Sequence, residues 1–475
     1  MADKLVIHSS RSRYEAYNKC MRYGYLNYNY AGRGIVPRAK NIFLETGIAV
    51  HKGLELIGKW LMKNKATEVR EDVLHWIGEQ VVNEYFERVF PKAEREKGVI
   101  TGFNLIEEGV SEFSEDGQKK EFSAIEKQRL QQETFNEQAA LVEALIRVFV
   151  MLVLPIWMKK FRIVTVENDM AFDLYEDDEI KIVQSAKLDW VLQEIESKDI
   201  YIVSFKSARQ YDEYTKKQAS HDTQGISETW AFNEFLKAKG SPRKVEGVLM
   251  LYLVKGARRE TKRGSGIYKQ ASPLIRGYRK LTESGIEYAH SMYFPNKAND
   301  SGFGRLGKGW EAFDILTEGK EIGYIRGWLE MLAAPFDLSG NYRKGFDVDK
   351  AVQLECGNIL AEQVVQPIPF ARQESDIESW LRQTTFREVD IAYRLKENKY
   401  SNENGSDLAY MDAKFPQNRL ACHYYPGEWN DCPYLSVCHG SVEERTNPLG
   451  TGEYTYRESH HRAELIQIEG ETKGK

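Results

Sequence analysis

Cysteine is scarce in this chain: there are five in 475 residues, an odd number and far fewer than an exported disulfide scaffold carries. A membrane-length apolar run is missing as well. The most apolar stretch, VFVMLVLPIWM at 148–158, is interrupted by Pro155 and bounded by Arg147 and Lys159. It falls short of the roughly 20 residues that a span requires and reads instead as a buried helix. The opening MADKLVIHSS has neither the basic segment nor the apolar core of a secretion signal. These absences predict a protein of a reducing cytoplasm with no membrane partner. Positive charge is not in excess either. A formal charge of −5 and a pI near 6.1 exclude a protein that coats nucleic acid with its whole surface, but they leave room for a local basic channel.

With 42% hydrophobic residues, the chain can bury one large core or two medium ones. Its charge is unevenly spread. In KGARRETKRGSGIYK, residues 255–269, six cations including Arg258, Arg259, Lys262 and Arg263 stand against the single acid Glu260. Such a glycine-flanked loop suits a phosphate backbone, and a solvated loop with accidental basic bias is the plain alternative.

The order of patterns predicts an α/β protein. Residues 12–24 read as a short helix capped by Ser12, followed by a Tyr- and Asn-rich loop through Pro37. Apolar residues recur at helical spacing from Phe43 to Lys63. An acid-rich stretch surrounds 107–120, and a long helix is expected from about 125 to 154, ended by Pro155. Three runs rich in Val, Ile and aromatics then form a predicted meander: RIVTVENDMAFDLY, IKIVQSAKLDWVLQE and KDIYIVSFKSA. A helix over 224–238 and a further strand, VEGVLMLYLVKG, follow. Helices are also expected near 308–333 and 374–396, and the polar tail after His439 is expected to fray or extend.

Four distant segments supply the polar groups of a two-carboxylate metal site. His51 and Glu55 stand four apart on one helix face in GIAVHKGLE, Asp189 ends the strand AKLDW, Lys206 lies in SFK on the next strand, and Gln224 opens the helix QGISETW. Phosphodiester hydrolysis needs a hydroxide-like nucleophile and charge stabilisation at the phosphate, and a hard cation on oxygen ligands supplies both. One carboxylate and one imidazole hold such a cation weakly, so a further acid is wanted. Two residues before Lys206, where that acid would fall, the chain has Ser204. Asp222 and Glu228 are nearby acids, and Glu228 shares a helix face with Gln224. The alternative is that Glu228 is an ordinary solvent-facing residue.

These segments together resemble the PD-(D/E)XK nuclease superfamily, in its RecB-type branch that includes the iron–sulfur nucleases of CRISPR adaptation and many phage exonucleases. The resemblance runs over SSRSRYEAYNKC, GIAVHKGLE, AKLDWV, YIVSFKSA, QGISETW and the C-terminal cysteines. It implies a restriction-endonuclease-like core, a mixed sheet flanked by helices. The core motifs would lie in 43–63 and 161–255, with helical insertions over about 64–160 and 260–415. A cluster segment at 416–440 would join Cys20 in a single domain of residues 1–440, followed by a tail at 441–475. It further implies Mg²⁺ or Mn²⁺ bound through His51 and Asp189, with Lys206 and Gln224 completing the catalytic set and the second acid falling on Ser204; the helix spacing offers Glu228 in its place. The implied substrate is DNA with a free or single-stranded end. The implied setting is a bacterial or phage-encoded enzyme, working with a helicase or recombination protein. A catalytically degenerate DNA-end-binding or scaffold protein of the same fold is the alternative.

Cys422, Cys432 and Cys438 form C-x9-C-x5-C, and with Cys20 they make four thiol ligands, enough for a [4Fe–4S] cluster or a structural Zn²⁺. In the resembled branch, one N-terminal and three C-terminal cysteines hold a [4Fe–4S] cluster that ties the chain ends together. Zinc is the alternative metal, with His423 and His439 as substitute ligands, and free buried thiols are the plain reading. Cys356 belongs to no pattern and reads as a core thiol.

Overall fold

The computed structural model describes residues 4–38, 42–89, 142, 145–147, 149–208, 217, 222–254, 258–259, 268–269, 364–397, 408–422, 432–459, 461, 463 and 464. The acid-rich stretch at 107–120, most of the helix expected over 125–154, the helix expected at 308–333, Lys262, Arg263, Cys356 and His423 lie outside these residues.

The protein is α/β, with a mixed six-stranded sheet flanked by helices. The expected meander is present as β3 (Phe161–Glu176), β4 (Ile180–Glu194) and β5 (Ile200–Ala208), antiparallel in sequence order. After the helix α6 (Thr223–Ala238), strand β6 (Val245–Val254) returns parallel to β5, and β9 (Val364–Phe370) closes that edge antiparallel to β6. The opening residues, read from sequence only as lacking a signal, form β1 (Leu5–Ser10), which pairs parallel with the first half of β4.

This arrangement opens a gap in one edge of β4. The β1 ladder ends at Ser10↔Ser185, whereas the β5 ladder spans only Trp190↔Val203 to Gln193↔Ile200. Residues 186–189 therefore have no strand partner on that side. Strands β4 and β5 splay apart there, and Asp189 lies within β4, not at its end as its place in AKLDW suggested.

Side chains of β5 alternate between two cores. Ile200 and Ile202 join Leu188, Met250, Trp230 and Trp380 in the core beneath α6 and α7 (Glu374–Glu397). Phe205 belongs to an edge-to-face cluster with Phe149, Trp157 and Trp190 on the side of α3 (Ile42–Asn64). Gly58 lets α3 approach this cluster, because a Cβ there would stand 2.7 Å from the Trp190 ring and from Val166. Helix α4 (Glu71–Val89) packs on α3. Pro155 does not end a helix. It sits in the first turn of α5 (Leu154–Lys160), after a π-helical turn at Phe149–Val153, where its missing N–H leaves no bond unmade.

A third core joins the two ends of the chain. Helix α1 (Arg11–Lys19) is capped by Ser10, whose hydroxyl accepts from Arg13 N, and not by Ser12. Cys20 is extended and splits the helix expected over 12–24, and its second part, α2 (Met21–Tyr28), runs on into the segment expected as loop. Tyr17, Tyr25 and Leu26 pack with Met411 of α8 (Leu408–Lys414), Phe415 and Val437 of α9 (Leu435–His439). The segment expected to fray instead forms α10 (Val442–Thr446) and β10 (Tyr454–Tyr456), the latter antiparallel to β2 (Ile35–Pro37). Among the described residues no helix is long and apolar enough to cross a membrane.

Candidate active site

The gap in β4 is where the predicted site residues meet. Asp189 uses one carboxylate oxygen to accept from the Phe205 N–H at 2.8 Å, taking the place of a ladder bond at the fork. Its other oxygen lies 3.6 Å from His51 Nδ1, on α3. From the opposite side α6 brings its first turn to the same gap. Asp222 caps that helix by accepting from Gln224 N at 2.8 Å, which fixes the direction in which Gln224 enters.

Gln224 is the hub of the polar network. Its amide nitrogen donates to Ser204 Oγ at 3.1 Å and to Glu228 Oε1 at 2.6 Å, and its carbonyl oxygen accepts from Lys206. Lys206 also pairs with Asp222 at 2.7 Å, and Arg11 stands 3.6 Å from the other oxygen of that carboxylate. Burial opposes ionisation of Asp222, but Lys206 and Arg11 outweigh it and hold its carboxyl below the ordinary range. Asp222 is thus a cap and counter-ion, tied to Lys206.

Glu228 is not solvent-facing. It is 3% exposed, one of its oxygens has no hydrogen-bond partner, and burial together with the nearby Asp189 charge pushes its carboxyl up to about 8. Ser204 is fully buried at 0% exposure, held by Gln224. The i, i+4 spacing of Gln224 and Glu228 is the signal that points to this acid.

A further acid escapes the sequence reading. The register pairs Val166 with Trp190 and Asn168 with Leu188, which sets Glu167 across from Asp189. Glu167 has φ +52°, a left-handed conformation uncommon outside glycine, and its carboxylate meets Lys187 at 2.5 Å. Burial and the charge of Asp189 raise its carboxyl, against the pull of Lys187. Only the register reveals this neighbour. Glu55, in contrast, is engaged by Lys52 at 3.1 Å and Lys59 at 2.5 Å.

The basic segment is described only in part. Arg258–Arg259 forms a two-residue strand, β7, against β8 (Tyr268–Lys269).

The four cysteines Cys20, Cys422, Cys432 and Cys438 all line one small pocket, together with Lys19, Tyr23, Gln417, Asn418, Ala421 and Tyr434, and all four are free thiols. The Asn418 N–H donates to Cys20 Sγ at 3.3 Å. His439 Nε2 is 3.8 Å from Cys422 Sγ. Burial raises Cys432, and it pushes Cys438 up to about 12. Among the described residues no group of three or more His, Cys, Asp or Glu side chains is arranged to hold a metal ion, either here or at the β4 gap.

No known family model matches this sequence, and no curated protein is significantly similar to it.

Proposed function

We propose that the protein is a metal-dependent deoxyribonuclease of the PD-(D/E)XK type, an exonuclease or end-processing enzyme acting on DNA. The observation that carries this reading is the meeting of Asp189, Glu228, Lys206, Gln224 and His51 at the point where β4 and β5 part. Asp189 and Glu228, with His51, are the residues that would hold Mg²⁺ or Mn²⁺. The donor set fits a hard cation: one carboxylate from a strand and a second, buried with a spare oxygen, from a helix. A cation bound there supplies the hydroxide-like nucleophile and offsets charge on the scissile phosphate. Lys206 is an ammonium held by Gln224 and Asp222 on the β5 side of the fork, the position of a group that contacts charge developing on phosphate. In this reading Glu228 replaces the acid missing at Ser204, and the mixed sheet is a restriction-endonuclease-like core.

The four thiols are proposed to hold a [4Fe–4S] cluster, with structural Zn²⁺ as the alternative. Support comes from the donor set itself: four free thiols from the two ends of the chain line one pocket, and a backbone N–H is directed at Cys20 sulfur. A cluster there would tie α2 to the C-terminal segment.

One observation favours a non-catalytic DNA-end-binding protein instead. Ser204 is buried and satisfied by Gln224, and Lys206 is neutralised by Asp222, as in a settled structural network. Digestion of end-labelled DNA with Mn²⁺ separates the two readings. The parent should cut, and Asp189→Ala and Glu228→Gln should not, losing on the order of 10²-fold or more in rate. A parent that never cuts, beside a Ser204→Asp variant that does, would establish the degenerate binder.

A further inference from the structure

Arg22 is among the largest fully buried side chains of the described residues, at 1% exposure. It stands in α2, two residues after Cys20. Its Nε donates to the Phe415 carbonyl at 2.8 Å and its Nη2 meets Asp412 at 2.5 Å, while Nη1 is buried with no hydrogen-bond partner. The segment that clamps it runs directly on into Gln417 and Asn418, which line the pocket. Gln417 in turn donates to the carbonyl of Cys438 at 3.2 Å.

A buried donor left unmade is costly, and more so when it is charged. A guanidinium held in that state beside four thiols calls for a reason. Four thiolates around a divalent ion, or around a [4Fe–4S]²⁺ core, carry an excess of about two negative charges, which is expensive to bury without an opposite charge. Lys19 lines the pocket too, and Arg419 follows the lining residue Asn418. Arg419 is exposed and Lys19 only half-buried, so water screens both. Of these three cations Arg22 alone is fully buried.

We propose that Arg22 is the buried counter-charge of the four-cysteine metal site, its guanidinium clamped by Phe415 and Asp412 to offset the negative charge of the metal-bound thiolates. The proposal rests on the four-thiol reading above. Arg22 is a positioning residue that binds no metal itself. Its charge favours an added electron on the bound group, which raises the reduction potential, and it slows loss of metal.

The test uses full-length protein purified anaerobically as the parent, Arg22→Met, Arg22→Lys and Asp412→Asn. If the bound metal is iron, the midpoint potential should move to more negative values in Arg22→Met and stay close to the parent in Arg22→Lys. It should move to more positive values in Asp412→Asn, which removes the exposed anion that partly neutralises Arg22. Asp412→Asn alters a surface carboxylate, so an unchanged value in it overturns the proposal even if Arg22→Met fails to fold, and a return to the parent value in Arg22→Lys shows that the charge of Arg22, and not its packing, is responsible. If the bound metal is zinc, transfer to a competing chelator should be about tenfold or more faster in Arg22→Met and slower than the parent in Asp412→Asn. A potential or release rate that Asp412→Asn leaves unchanged overturns the role of Arg22 and leaves the thiol site standing. A parent that carries no metal sinks the four-thiol reading and the role of Arg22 with it.

Discussion

Replacing Glu228 by glutamine should make the protein more stable in alkali while abolishing any metal-dependent activity. In the metal-free protein the carboxyl of Glu228 titrates at about 8, against an ordinary value of 4.5, because it is buried and faces the charge of Asp189. The folded state therefore holds this proton more tightly than the unfolded chain does. Stability from this group is complete below about pH 4.5, declines as pH rises between the two values, and levels off above about pH 8. At about 1.4 kcal/mol per unit, the gap corresponds to a loss on the order of 5 kcal/mol. Glutamine keeps an acceptor for the Gln224 amide and has nothing to titrate. Urea unfolding in chelator at about pH 5 and about pH 9 reads the effect. With an m-value of a few kcal/mol/M, the parent should lose a midpoint shift on the order of 1 M relative to Glu228→Gln across that range. Adding Mn²⁺ at the higher pH should restore stability to the parent alone, by about 2.7 kcal/mol at a hundredfold excess over Kd. A parent-minus-variant difference that does not change with pH would refute the burial argument. A Mn²⁺ response equal in both proteins would refute the assignment of Glu228 as a ligand.

Ser204→Asp should destabilise the fold by about 3 kcal/mol or more in chelator, since it places a second carboxylate in a fully buried position beside Gln224 and Glu228; an unchanged urea midpoint would count against that. Glu388→Ala should cost about 3–5 kcal/mol, because it strands the buried Arg13 that it meets at 3.0 Å and frees Ser9. The check is thermal unfolding beside Glu388→Gln, which should lose less. Removing the charges of Arg258, Arg259, Lys262 and Arg263 should weaken DNA binding and flatten its log–log salt slope by somewhat less than one for each phosphate no longer neutralised. An unchanged slope would move the DNA path elsewhere.

Local patterns make the strands of the meander, α6 and α3 legible, because alternation and helical periodicity are written in neighbouring residues. Glu228 is legible by the same means, one turn beyond Gln224. What the sequence hides depends on register. LVIHSS carries no sign that it will pair with residues 180–185, yet that pairing leaves 186–189 open and so creates the gap that Asp189 occupies. Glu167 becomes a neighbour of Asp189 only once β3 and β4 are aligned. The helix break at Cys20 and the capping by Ser10 are hidden because SSRSR offers several equivalent serines, and tertiary contacts choose among them. The C-terminal strand is hidden because YTY in a polar tail gains its stability from β2, far away in the chain.

The partnership of the two chain ends sets a timetable for synthesis. Ser9 and Arg13 reach Glu388 across 379 and 375 residues, and Asn27 reaches Tyr434 across 407. At about 5–20 residues per second a ribosome needs roughly 20 to 80 seconds to make that intervening length. Throughout that interval the tyrosines of α1 and α2 have no core to enter, and Cys20 has none of its three companion thiols. Helices α1 and α2 are thus made long before the residues that bury them, and a chain that stops short of Glu388 leaves their aromatic side chains exposed.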